Sequence, residues 1–427
     1  MPIRILTTII ELPRPAERPV FPDTNLMSTP AKRRILFVDD EDGVLIVLKA
    51  FIQRVAEGWE GEFVKSGDAA LQALTRRPFD VVVSDMRMPG ISGTQLLNEV
   101  LRRYPWVIRI ILSGHADEHT VQESVGIAHQ WVAKPFDLQK FKALLDRIAA
   151  SAGRMECQGL RELVGRMGHL PSFPQLYFDI LRALQSSTCS AQTIADIVKR
   201  DPALSVKMLQ LVNSAFFGMA REIANTTEAV QLLGVSRIRS LALTHHILST
   251  FSQAALEGIS LDEVWAHGLR TATWAQQLVS WQGGGRSDQD LAFTGGMLHD
   301  IGHLLFAVNL AEPSREILTL ARERPCSLYE AEKTVLHNTH ATVAAYLLGI
   351  WGLPIPLVET VALHHEPSAS ANRTFDALGA VHVASFWSYG QSRIGRTIPA
   401  VPLDMTYLRE VGVHGKIEAW RAKLIGT

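Results

Sequence analysis

Apolar residues fall in short β-branched runs over the first third of the chain and at helical spacing over the remainder. The clearest run is Val81-Val82-Val83, which reads as a strand buried on both faces. Ser84 and Asp85 follow where that strand emerges. Met88-Pro89-Gly90 then breaks the run, because proline fixes φ and glycine tolerates turn geometry. Around it the pattern alternates, predicting strands at 35–38, 62–64, 81–84, 107–112 and 131–133. Helices are predicted at 43–54, 68–75, 94–103, 118–125 and 138–148. Five strands alternating with five helices give an α/β domain over 31–150, built on a doubly wound five-stranded parallel sheet.

Residues 151–164 are small and polar and read as a linker, although Leu160, Leu163, Val164 and Met167 resume a helical stripe. From there strand signals nearly vanish. Helices are predicted at 191–199, 203–212, 227–233, 236–250, 261–281, 288–305, 313–323, 328–350, 354–364 and 375–389, an all-α bundle over 165–390. Asp201-Pro202 opens one helix as an N-cap with a first-turn proline, and Gly234 stops another. Residues 391–427 form a C-terminal extension, with a loop at 395–402 and a terminal helix at 405–419. Residues 1–30 carry five prolines before Pro30 and read as a disordered arm, with Met27 an alternative start.

Composition narrows the function classes. The 427 residues are 47% hydrophobic with a net charge of −1, a balance that points to neither nucleic acid nor a membrane surface. Cys157, Cys189 and Cys326 are odd in number and far apart, so no disulfide framework is expected and a reducing cytoplasm fits. No run reads as a membrane span or signal peptide.

The predicted strand ends share a chemistry. The first places Asp39 and Asp40 at its C-terminal edge, the third Asp85, the fourth Ser113 and the fifth Lys134. Open α/β sheets bind ligands at that edge. Clustered carboxylates repel unless a cation joins them, and an oxygen-rich site with room for water suits Mg²⁺. Metal and Lys134 together would neutralise an incoming phosphoryl group, with Asp85 as nucleophile. This segment resembles the receiver domain of two-component response regulators. The resemblance implies that Asp39 and Asp40 form the acidic Mg²⁺ pocket, that Asp85 accepts phosphate from a sensor histidine kinase, and that the Arg87 carbonyl completes the metal shell. It further implies that Ser113 is the switch hydroxyl, Lys134 the phosphate-binding lysine, and Trp131 the occupant of a switch position that usually holds Tyr, Phe or His.

Histidine is uneven: 12 of the 15 lie after residue 150. His267, His299-Asp300, His340 and His364-His365 recur on the predicted helices, and one Asp with several imidazoles can bridge two cations. Asp-Pro-Ala-Leu at 201–204, Asn-Ser-Ala-Phe-Phe-Gly at 213–218 and Glu-Ala-Val-Gln-Leu-Leu-Gly at 228–234 resemble the HDOD signalling domain. The second half is similar to the HD phosphohydrolase superfamily, in which His267, His299, Asp300, His340, His364 and His365 match metal-ligand positions that most HDOD domains lack. Ser385 stands where that superfamily closes its site with Asp. His303 stands where the related HD-GYP phosphodiesterases carry Lys, and their Gly-Tyr-Pro signature is absent. His245-His246 point about 100° apart on a helix and read as a surface pair.

Together these readings predict a response regulator whose HDOD output acts by binding a downstream signalling protein. Mg²⁺ is expected in the receiver and a transition metal, Zn, Fe or Ni, in the HD-like site. A homodimer is also expected, since receivers commonly pair through their last helices. The alternative is a receiver-gated, metal-dependent HD phosphohydrolase or phosphodiesterase. A DNA-binding regulator ranks last, because no terminal helix-turn-helix with a basic recognition helix is evident.

Overall fold

The alternation of side chains along the strands decides how the first domain is layered. A computed structural model describes residues 33–425 apart from 56–57, 105, 114–126, 136, 154–174, 187, 214–222, 251–259 and 393–396. Strands β1 (Arg33–Val38), β2 (Trp59–Val64), β3 (Val81–Asp85), β4 (Ile108–Ser113) and β5 (Gln130–Ala133) form one parallel sheet in the order β2-β1-β3-β4-β5. Leu36, Val38, Val82 and Ile111 point to one face, where helices α2 (Gly67–Arg76) and α3 (Gly93–Arg103) cover them. Ile35, Phe37, Val81, Val83 and Ile110 point to the other, under α1 (Asp42–Val55) and α4 (Leu138–Gly153). Every residue of β3 is buried, as the triple valine requires. The strand order reverses between β1 and β3, so their C-terminal ends flank the crevice.

β2 begins three residues earlier than the apolar pattern suggests. Trp59 pairs with Arg33, and the glutamates at 60 and 62 ion-pair with Arg34, Arg76 and Arg77 instead of breaking the strand. The helix expected at 118–125, the N-terminal arm, Met27, Cys157, the 154–164 part of the linker and most of the 213–218 motif lie outside the described residues.

The second domain is helical: α5 (Gln175–Gln185), α6 (Ala191–Val198), α7 (Pro202–Val212), α8 (Thr226–Leu233), α9 (Val235–Thr250), α10 (Leu261–Trp281), α11 (Arg286–Leu298), α12 (Ile301–Asn309), α13 (Ala311–Glu323), α14 (Leu328–Leu336), α15 (His340–Ile350), α16 (Ile355–Leu363) and α17 (Ala377–Tyr389), then α18 (Met405–Glu410) and α19 (Ile417–Ile425). Asp201 caps α7 by accepting from the Leu204 amide at 2.9 Å, and Gly234 ends α8 at φ +76°. Two long predicted helices are each split. The 288–305 stretch breaks at His299-Asp300, and 328–350 breaks at His337, which adopts a left-handed φ of 53°. The window 286–309 has the length and hydropathy of a membrane span, but 72% of its apolar stretch is buried inside the bundle. The surface reading of His245 fails: it is buried on α9, and its Nε2 lies 3.0 Å from the Asp201 carboxylate. The apolar cluster under α1 and α4 continues unbroken into the helical bundle.

Candidate functional site

Two clusters result. At the crevice of the sheet, β1 delivers Asp39, fully buried, and β3 delivers Asp85 beside it. Lys134, just past β5, reaches across β4's end to both: its Nζ donates to Asp39 Oδ2 at 2.7 Å and pairs with Asp85 Oδ1. The Arg87 amide donates to Asp85 Oδ2 at 3.0 Å, and the Glu41 amide to Asp39 Oδ1 at 3.0 Å. Burial raises the Asp85 carboxyl above its ordinary range, opposed by Lys134. Burial works against the Lys134 ammonium, yet its two carboxylate partners outweigh that and raise it. Asp40 is exposed at the lip, and Trp131 is half-buried on β5 with its ring 5.4 Å from that of Phe178 on α5. Ser113 ends β4 opposite Ala133, which places its backbone at the same edge.

The second cluster is built on close helix approach. A Cβ on Gly296 would collide with the Ala272 backbone, so glycine lets α11 lie against α10. That contact brings His267 Nε2 within 3.1 Å of His299 Nε2. The chain then turns at Asp300, whose carboxylate becomes the hub. Its oxygens lie 3.2 Å from His267 Nε2, 3.3 Å from His299 Nε2, 3.4 Å from His340 Nε2 and 3.7 Å from His364 Nε2. His365 lies beside His364 with ring centres 4.0 Å apart and completes one donor set, Asp300, His340, His364 and His365. A second set, His267, His299 and Asp300, shares the same aspartate. Ser385, on α17, places its Oγ 3.1 Å from His299 Nε2, within that second set.

The outer ring nitrogens are held away from the hub. Nδ1 of His299 bonds the Gly296 carbonyl and Nδ1 of His364 the Val361 carbonyl, each at 2.8 Å. Nδ1 of His267 meets Ser388 Oγ at 2.8 Å, and Nδ1 of His340 meets Glu332 Oε2 at 2.7 Å. With Nδ1 engaged, Nε2 presents its lone pair to the centre, the arrangement that orients imidazole ligands around metals. The buried Nε2 atoms of His340 and His364 have no hydrogen-bond partner, and buried polar nitrogens are rarely left so. The residues therefore fit a metal ion.

Electrostatics favour neutral imidazoles at His299, His364 and His365 and a protonated one at His340. Burial drives His299 and His365 well below the usual histidine value, and His364 also below it, keeping them neutral. Asp300 is held well below the carboxylate range: burial opposes its charge, but the surrounding histidines, His299 first, prevail. Glu332 is held at about 2 by His340 and His303 despite burial. Glu332 in turn lifts His340 to about 10 against burial.

Glu332 and Ser388 were not marked by the motifs. Glu332 did leave a trace: it sits between Tyr329 and Leu336 on the buried face of α14, a carboxylate in an apolar stripe. His303 pairs with Glu332 at 3.0 Å and stacks on His340, with ring centres 3.8 Å apart. A cavity of about 100 Å³ opens beside the hub, lined by His267, Asp300, His303 and Glu332 together with the apolar Val264, Phe306 and Ile317.

Comparison with known proteins matches residues 35–146 to the response regulator receiver domain and 170–367 to the HDOD domain. An uncharacterised protein of Treponema pallidum is 26% identical over 208 residues, covering 48% of this chain and 39% of that protein. The DNA-binding transcriptional regulator NtrC of Klebsiella pneumoniae is 35% identical over 111 residues, covering 26% of this chain and 23% of NtrC. The chain thus spans about two fifths or less of these relatives' length. A crystal structure of an HDOD domain protein from Geobacter sulfurreducens covers 66% of this chain and 98% of that one, with 20% identity and a TM-score of 0.49.

Proposed function

The chain belongs to the response regulators that join a receiver domain to an HDOD domain, and from that premise we propose that phosphoryl transfer to Asp85 controls the helical output. The observation that carries this is Lys134 gripping Asp39 and Asp85 together at the switch point of the sheet. In the transfer, an Asp85 oxygen forms a bond to phosphorus while the donor's bond to phosphorus breaks. Lys134 is placed to balance the added negative charge, and the Arg87 amide orients the nucleophile. Mg²⁺, held by Asp39, Asp40, Asp85 and the Arg87 carbonyl, would neutralise charge between carboxylates and phosphoryl oxygens. The donor is a sensor histidine kinase in the cytoplasm, and Ser113 and Trp131 read out the modified state. The test is labelling by a small phosphodonor in Mg²⁺: the wild type should label, and Asp85→Asn should not. Undiminished labelling of that variant would overturn the assignment.

For the helical domain, the reading is a metal-holding module that acts by binding a downstream protein, and the chain's homodimer is assigned to the receiver's last helices. The donor sets support unequal metal positions. Asp300, His340, His364 and His365 give one position four donors, whereas His267, His299 and Asp300 give the other three, with the neutral Ser385 hydroxyl beside them among the described residues. A two-metal hydrolase needs both ions clamped. The shared Asp300 favours the second reading, a phosphohydrolase. Metal content and turnover of generic phosphodiesters separate the two: robust turnover lost in His299→Ala would establish the hydrolase.

A further inference from the structure

We propose that helix α15 couples the two sites, so that a phosphoryl group on Asp85 changes the metal affinity of the histidine cluster, and metal changes the receiver's affinity for phosphoryl. The inference rests on the reading of Asp85 as acceptor and deepens it by naming how the second site is regulated.

The two ends of α15 belong to different domains' business. At its C-terminal end, Gln130 of β5 donates from Nε2 to the Ile350 carbonyl at 3.1 Å, capping one of the carbonyls that a helix end leaves unpaired. Gly352 follows at φ +69°, where a Cβ would press on the same Gln130 amide. Receiver helix α4 packs along α15, and Trp131, next to Gln130, lies against Phe178 of α5. At its N-terminal end, α15 begins with His340, whose amide and Nδ1 both bond Glu332 and whose Nε2 faces Asp300. The His340 carbonyl sits so close to Gly302 that no side chain fits there.

Between these ends, Ala341, Val343, Ala344, Ala345, Leu347 and Leu348 are fully buried. An 11-residue helix is about 16 Å long, and a close-packed interior transmits displacement instead of absorbing it. The input also lies on β5's own axis. Lys134 follows the strand that carries Gln130 and Trp131, and it holds Asp85. A phosphoryl group on Asp85 must redraw the Lys134 contacts and so shift the end of β5. Metal–ligand distances tolerate only about 0.2 Å, so a small axial movement of His340 is enough to matter.

Coupling between binding sites is reciprocal, which supplies the test. With full-length metal-free protein in constant Mg²⁺, Zn²⁺ affinity is measured by calorimetry with and without the phosphoryl mimic beryllofluoride. Beryllofluoride affinity is then measured with and without Zn²⁺. Both ratios should equal one factor of about 5 or more. Gln130→Ala, or Phe178→Ala, should bring that factor close to one while leaving each separate affinity near wild type. Zn²⁺ affinities equal within twofold, or a factor unchanged in both variants, would overturn the coupling and leave the acceptor reading standing. Absence of beryllofluoride binding would overturn both.

Discussion

Glu332 offers the sharpest test of how the histidine cluster is held. Its Oε2 accepts from both the His340 amide at 2.9 Å and His340 Nδ1 at 2.7 Å, while Oε1 pairs with His303. Glu332→Gln can keep this geometry: the amide oxygen takes the Oε2 place, and the NH₂ faces His303 Nδ1. Only the charge is lost. That charge favours a proton on His340 as well as a metal, but a divalent ion gains about twice the attraction of a proton. Loss of an outer partner typically costs 10–100-fold in metal affinity. The Gln variant belongs near the lower figure, about 1.4 kcal/mol. Glu332→Ala also strands two buried donors of His340 and belongs near the upper figure, with a folding cost of about 3–5 kcal/mol. Metal titration calorimetry on chelator-stripped protein measures the first, and urea unfolding the second. Folded Glu332→Ala binding metal as tightly as wild type would refute the claim that this carboxylate positions His340.

Gly302→Ala should cost about 1–3 kcal/mol by overpacking, because its Cβ lands on the His340 carbonyl. It should also weaken metal binding, and unchanged urea midpoint and affinity would count against the packing. Within the proposed receiver Mg²⁺ pocket, Asp40→Ala should weaken Mg²⁺ binding and labelling together, read by titration and phosphodonor uptake; loss of labelling alone would assign Asp40 another role. Glu99 is lowered to about 2, first by Arg102 and then by Arg103 against a burial cost. Its folded value lies below its unfolded one, so its stabilisation is present above about pH 4.5 and is lost as pH falls through 2. After solvent screening, Glu99→Gln should cost about 0.5 kcal/mol at pH 7 and only a small fraction of that near pH 2. Equal differences at both pH values would contradict this.

The receiver was legible because its signals are local. The triple valine requires burial on both faces, and strand-end residues fall at one edge once the sheet is parallel. The helical site was legible only in its residue types. Nothing in Leu298-His299-Asp300-Ile301 resembles a helix stop, and apolar spacing runs straight through it. The break there serves the site, aiming both side chains at one point. The second break carried a weak mark, since histidine and asparagine tolerate the left-handed region better than most residues, and His337-Asn338 sits at the corner. Gly412, at φ +74°, likewise divides the single terminal helix expected at 405–419 into α18 and α19. His245 was misread because helical spacing alone cannot reveal an Asp201 waiting on another helix.

The spread of the histidine cluster along the chain has a consequence for synthesis. Ser388 bonds His267 across 121 positions, so the site cannot close until its last contributor has left the ribosome. The receiver, complete by the end of α4, is finished roughly 235 residues earlier. At about 5–20 residues per second, that interval is on the order of 10–50 s. Through most of it a folded receiver with its Asp85 pocket assembled would present the Gln130 side chain without α15, whereas Trp131 stays uncovered only until α5 emerges. A nascent chain would thus be open to a phosphodonor, and briefly to sticky encounters at Trp131, before it has any output to control.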